Sequence, residues 1–140
     1  MITEIITRIK AVVPALKLVG EAADFQAAAE SNPKVTPACF VIQLEETPEP
    51  NALGNLLQQR VHVAVGIVIV IRNLADPKGA AARVSLETVR SQLKDQLFGW
   101  VATPELDPFE RGASNLLAFR DGHVWWQDIY LTSYYDRSKL

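Results

Sequence analysis

Gln58-Gln59-Arg60-Val61-His62-Val63-Ala64-Val65-Gly66-Ile67-Val68-Ile69-Val70-Ile71-Arg72 is the stretch on which the fold turns. Val61, Val63, Val65, Ile67, Ile69 and Ile71 recur at every second position, and side chains in a strand alternate between its two faces. One face is therefore wholly apolar. The other is polar or small from Gln58 to Gly66 and becomes apolar at Val68 and Val70. A strand of this length reaches roughly 50 Å, well beyond the usual five or six residues. Its polar first part, Gln58 to His62, is expected to run past its own sheet and to offer free backbone groups to a neighbour.

The flanks supply the other elements. Upstream, Ala38 to Leu44 contains the apolar run Cys39-Phe40-Val41-Ile42 and predicts a strand buried on both faces. Between the two strands, Glu45 to Asn55 holds three glutamates, Pro48, Pro50 and Gly54. Prolines remove ladder donors and glycine frees the backbone, so this segment predicts a long loop, of the kind that usually carries function. At the N-terminus, Ile2, Ile5, Ile6, Ile9, Val12 and Val13 recur at helical spacing, and Pro14 should stop that helix near Val12. Lys17 to Val19 predicts a short strand, and Asp24 predicts the cap of a short helix over Phe25 to Glu30.

Downstream, Asp76-Pro77 has the form of a helix start. Val84, Leu86, Val89, Leu93, Leu97 and Trp100 continue a helical face, so the helix is expected from about Pro77 or Ser85 to Phe98, with Gly99 as its stop. Thr103-Pro104 and Asp107-Pro108 mark a second loop. Leu116 to Arg120, Asp121-Gly122 and His123 onward predict a hairpin, because Asp-Gly favours the primed turn that matches strand twist. The expected fold is α+β. It is a mixed, largely antiparallel sheet with a long β-hairpin, packed on one side by two main helices, in a single domain over 1–140.

Composition narrows the function. The 140 residues carry 14 basic and 16 acidic side chains, for a net charge of −2. No basic footprint for nucleic acid is visible. The longest apolar run, Val63 to Ile71, is half a membrane span. The first residues lack the pattern of a secretion signal. Cys39, the sole cysteine, excludes an internal disulfide and reads as a buried small hydrophobe. His62 and His123 lie in predicted strands without accompanying ligands and read as surface or half-buried residues. Asp121 has a turn role, which removes the reason to pair it with Asp128 as catalytic carboxylates. No phosphate loop, metalloprotease or nucleophile-elbow motif occurs, so no catalytic residue, metal or cofactor is expected. The aromatics Trp125, Trp126, Tyr130, Tyr134 and Tyr135 read as core or interface residues, since no lysine or arginine is interleaved with them as base stacking would require.

The order of motifs resembles the small phage tail terminator proteins. The resemblance rests on Val13-Pro14-Ala15-Leu16, Gly20-Glu21-Ala22-Ala23-Asp24, Thr36-Pro37-Ala38-Cys39-Phe40-Val41, Pro50-Asn51-Ala52-Leu53-Gly54 and Leu116 to Asp128. It implies a structural subunit, assembled in the host bacterial cytoplasm and resident in the virion tail. Such a subunit forms a homo-hexameric ring on the head-proximal end of the tail tube, stops tube growth and offers a surface to the neck. The implied partners are other copies of the chain, the tail tube protein and the neck or connector protein, with no sequence-specific nucleic acid and no membrane. Glu45, Glu46, Glu49, Asn51, Gln58, Gln59, Arg60 and His62 are the candidate subunit or tail-tube interface. Two other readings stand beside it. One is another head–tail connector or tail-tube-associated protein. The other is a small ligand-binding or enzymatic domain with a pocket lined by His123, Trp125 and Trp126.

Overall fold

The computed structural model describes residues 1–72 and 80–140, with side chains at 1–72 and 85–140. Helix α1 spans Ile2–Val12 and stops before Pro14, as the proline requires. Strand β1 (Leu18–Gly20) and helix α2 (Ala22–Ser31) follow. Strands β2 (Ala38–Pro48) and β3 (Gln58–Arg72) form an antiparallel pair. Helix α3 (Ala80–Leu97) leads through a loop to the hairpin of β4 (Glu110–Arg120) and β5 (His123–Arg137). The expected helix start at Asp76-Pro77 lies outside the described residues. Gly99 closes α3 with φ +85°, a left-handed conformation that glycine adopts without strain.

The five strands are ordered β1-β2-β3-β5-β4, with β1 parallel to β2 and every other pair antiparallel. The apolar face of β3 meets Ile5 and Ile9 of α1 and Leu86, Val89, Leu93 and Leu97 of α3 in the main core. The expected α+β sheet with two main helices on one side is therefore the observed one. On the opposite face, Phe25, Ala28 and Ala29 of α2 cover Phe40, Val68, Val70 and Trp125. That explains why β3 becomes apolar on both faces from Gly66 onward. Asp121 and Gly122 both have positive φ, 50° and 73°, so the hairpin turn is the primed type that Asp-Gly predicts.

Three sequence expectations need correction. Asp24 is the third residue of α2 and not its cap; its carboxylate accepts the backbone N–H of Glu21 at 2.9 Å, closing the helix start from inside. Glu45 to Pro48 is strand and not loop. After an irregularity at Gln43/Glu45 the ladder resumes, pairing Glu45 with Ala64 and Pro48 with Val61. Glutamates and proline are tolerated there because β2 is an edge strand at this level, where charge and a missing donor do no harm. Finally, the polar start of β3 has no free edge. Gln58 to His62 pairs with Arg137 to Ser133 of β5, and Glu49 N–H donates to Arg60 O at 2.7 Å on the other side. Strand β5 is as long as β3 and pairs with it throughout, and β2 accompanies it as far as Val61, so the polar start of β3 is carried outward in a ribbon.

Candidate functional site

The ribbon end collects the interface candidates in one place. Glu45 and Glu46 sit on the outer edge of β2, Glu49 and Asn51 in the connecting segment, and Gln58, Gln59, Arg60 and His62 on β3. Each is held by a neighbour. His62 Nε2 lies 3.1 Å from Glu49 Oε1, an ion pair whenever the imidazole is protonated. Gln59 donates to Glu49 O at 3.0 Å, and Glu46 accepts from the Tyr134 hydroxyl at 3.3 Å. Gln58 Oε1 accepts from Arg137 Nε at 2.5 Å. Arg60 donates to Asp107 Oδ2 and to Ser133 Oγ, both at 2.9 Å, and its guanidinium lies over the Tyr135 ring. Asn51 folds the tip: its amide donates to Leu53 O, and its Oδ1 accepts the Gln58 N–H at 2.9 Å.

Sequence reasoning missed the apolar part of this end. Leu53, Leu56 and Leu57 are exposed at the tip, Leu56 at 66% and Leu57 at 56%. Three leucines within five residues of a surface turn form a patch that pays a hydration cost in the free protein. Pro48, Pro50 and Gly54 drew the reading towards a polar loop, whereas Leu53, Leu56 and Leu57 in the same sequence were the available signal. Asp107 and Ser133 were also missed. Only the tertiary fold brings them to Arg60.

A second polar centre lies under α3. Asp128 on β5 is buried, and it accepts from Arg90 at 2.9 to 3.2 Å, from Ser114 Oγ at 2.6 Å and from Trp126 Nε1 at 3.0 Å. Arg90 also stacks over Trp126, 4.7 Å from the ring centroid. Burial alone would raise the Asp128 carboxyl. The bonds from Arg90, Ser114 and Trp126 outweigh it and hold the group below 3.8. The network fastens α3 to both arms of the hairpin. Beside it, Glu87, Ser91, Lys94, Arg111 and Tyr130 rim a shallow hollow of about 180 Å³.

The candidate aromatic pocket does not form. Trp125 and Trp126 are consecutive strand residues and point to opposite faces. Trp125 packs with Phe25 and Phe40 and donates to Asn32, whereas Trp126 faces α3. His123 is buried, not surface or half-buried as expected, because β5 is an inner strand flanked by Arg72 and Arg120. Its Nδ1 lies 3.0 Å from Asp121 O. Cys39 is fully buried, and burial pushes its thiol up to about 12. Among the described residues no group of three or more His, Cys, Asp or Glu side chains could hold a metal ion.

A family profile described as phage tail terminator protein matches residues 2–139. The chain belongs to the phage tail terminator family. The resemblance read from the sequence is thus the observed membership, and it covers nearly the whole chain. No curated protein matches it. As a tail terminator family member, the chain is a structural component of the phage tail, and its partners are other tail and head proteins. Among the described residues no helix is long and apolar enough to cross a membrane.

Proposed function

We propose that this tail terminator family member acts by binding alone. Copies of the chain form a homo-hexameric ring that caps the head-proximal end of the tail tube, stops tube polymerisation and presents a surface to the neck. It needs no cofactor and catalyses no reaction. The patch of Glu45, Glu46, Glu49, Asn51, Gln58, Gln59, Arg60 and His62 contacts a neighbouring subunit or the tube. The observation that carries this reading is the ribbon end, an extension of β2, β3 and β5 beyond the helices, with a bare outer edge on β2 and a leucine-bearing tip. Such a feature costs hydration in a lone subunit and gains when covered. A net charge of −2 also suits a ring through which DNA passes without adhering.

The test is to mix the purified protein with polymerising tail tube protein. The expected result is tubes of limited length, each with a ring at one end in negative-stain images. Tubes that grow unchanged, with no density at either end, would overturn the capping role. A ring found only on isolated heads would favour a connector.

A further inference from the structure

The hollow under α3 is lined by hydrogen-bond donors that the fold leaves without acceptors. Glu87, Arg90, Ser91 and Lys94 recur along α3 at spacings of three and four, so they share one face of the helix. An irregularity in the ladder between Arg111 and Ser114 brings these residues, three apart, into register with Tyr130 and Asp128, two apart on β5. A bulge re-aims side chains, and this one turns Arg111 and Ser114 to the same side, under α3.

Arg90 bonds Asp128 and Ser114 through Nε and Nη2, and no described residue accepts from its Nη1. Lys94 has no ion-pair partner among the described residues, and Arg111 reaches only Ser114 Oγ, at 3.3 Å. Tyr130 is 2% exposed, yet no described residue hydrogen-bonds its hydroxyl. Burial and the Asp128 charge push its phenol up to about 12, so at neutral pH it is protonated and able to donate. Buried hydroxyls are seldom left unbonded, because a missing bond costs free energy. Arg90, Lys94 and Arg111 against Glu87 and Asp128 leave one positive charge in excess. At about 180 Å³ the hollow is smaller than the roughly 300 Å³ at which small-molecule sites begin, and it has room for one side-chain group.

We infer that this hollow is a socket for a single carboxylate, the aspartate or glutamate side chain of a tail protein that docks against α3 and β4. The carboxylate accepts from Tyr130 and from the guanidinium and ammonium groups around it, and so completes the bonds that the free chain leaves open. A monoanion balances the excess charge, whereas a phosphate dianion overshoots it and meets Glu87 on the rim. The net charge of −2 likewise argues against a nucleic-acid strand as the occupant. The docking role rests on the reading that the chain works by binding tail proteins; the affinity for a carboxylate does not.

The first arm titrates the whole chain with sodium acetate, against sodium chloride at matched ionic strength, and follows the Arg111 side-chain and Trp126 indole N–H signals by NMR. Wild type should show saturable shifts in the millimolar range, as a ligand of so few atoms allows. K94A/R111A should bind at least about tenfold more weakly, because bonds to charged groups are lost. Tyr130→Phe keeps the ring and removes only the unbonded hydroxyl, so it should melt like wild type and bind acetate at least about threefold more weakly. Shifts that never saturate, or that K94A/R111A leaves unchanged, overturn the socket. Inorganic phosphate that binds ahead of acetate overturns the choice of a carboxylate. The second arm measures assembly with tail tube protein by sedimentation, where K94A/R111A should lose at least about tenfold while melting like wild type. Acetate binding with undiminished assembly reduces the hollow to a free-ion site and overturns the docked side chain. A wild type that never assembles overturns the ring and the docked side chain with it, whereas the socket is decided by the first arm alone.

Discussion

At the scale of single residues, Asp128 governs stability most directly. Its carboxylate is buried and satisfied by Arg90, Ser114 and Trp126, so Asp128→Ala strands a guanidinium half inside the protein. Breaking a buried pair from one side costs about 3 kcal/mol. The expected outcome is a lower urea midpoint with an unchanged slope. The pH dependence follows from the direction of the shift. The folded group titrates below 3.8, so its contribution is fully present above that value and is lost as pH falls through the lower folded value. The gap between wild type and variant should hold at neutral pH and narrow below about pH 4. A gap that stays constant in acid would show that ionisation of Asp128 is not what stabilises. None of this was legible in the sequence. Arg90 and Asp128 are 38 positions apart, and neither lies in a pattern that names a partner. Cys39, by contrast, was legible, because an apolar run on an inner strand leaves a thiol nowhere to go but the core.

At the scale of elements, strict alternation made β3 readable, and the Asp-Gly dipeptide made the β4–β5 hairpin readable. The outer half of β2 was not, since the residues that mark a loop are also those that protect an edge strand. Glutamates repel strand addition, and Pro48 fits where no donor is needed. The hydrogen bond from Glu49 N–H to Arg60 O fixes the alternation. Amides of Glu45 and Thr47 must face β3, and those of Glu46 and the proline position must face outward. Amide exchange should therefore separate Glu45 and Thr47, protected, from Glu46, which exchanges fast in the free subunit. Covering of the outer β2 edge in an assembly should protect Glu46 too. Uniformly fast exchange across Glu45 to Thr47 would return this segment to a loop.

At the scale of the whole molecule, the division of labour runs along the sheet. One end is covered on both faces, by α1 and α3 on one side and α2 on the other, and it supplies the stability. The opposite end is a ribbon whose tip exposes Leu53, Leu56 and Leu57. Exposed positions away from any buried network change stability by no more than about 0.5 kcal/mol when substituted. The triple variant L53S/L56S/L57S should accordingly melt like wild type. If the tip meets the tail tube, the same variant should lose tube capping, because burying exposed leucine side chains supplies much of the attraction at such a contact. If the tip meets a neighbouring subunit instead, ring assembly fails first, and sedimentation in the absence of tubes detects it. A variant that assembles and caps like wild type would mean that the leucines serve neither contact. The charged residues of the ribbon would then have to carry the binding alone, a role to which exposed ion pairs are poorly suited.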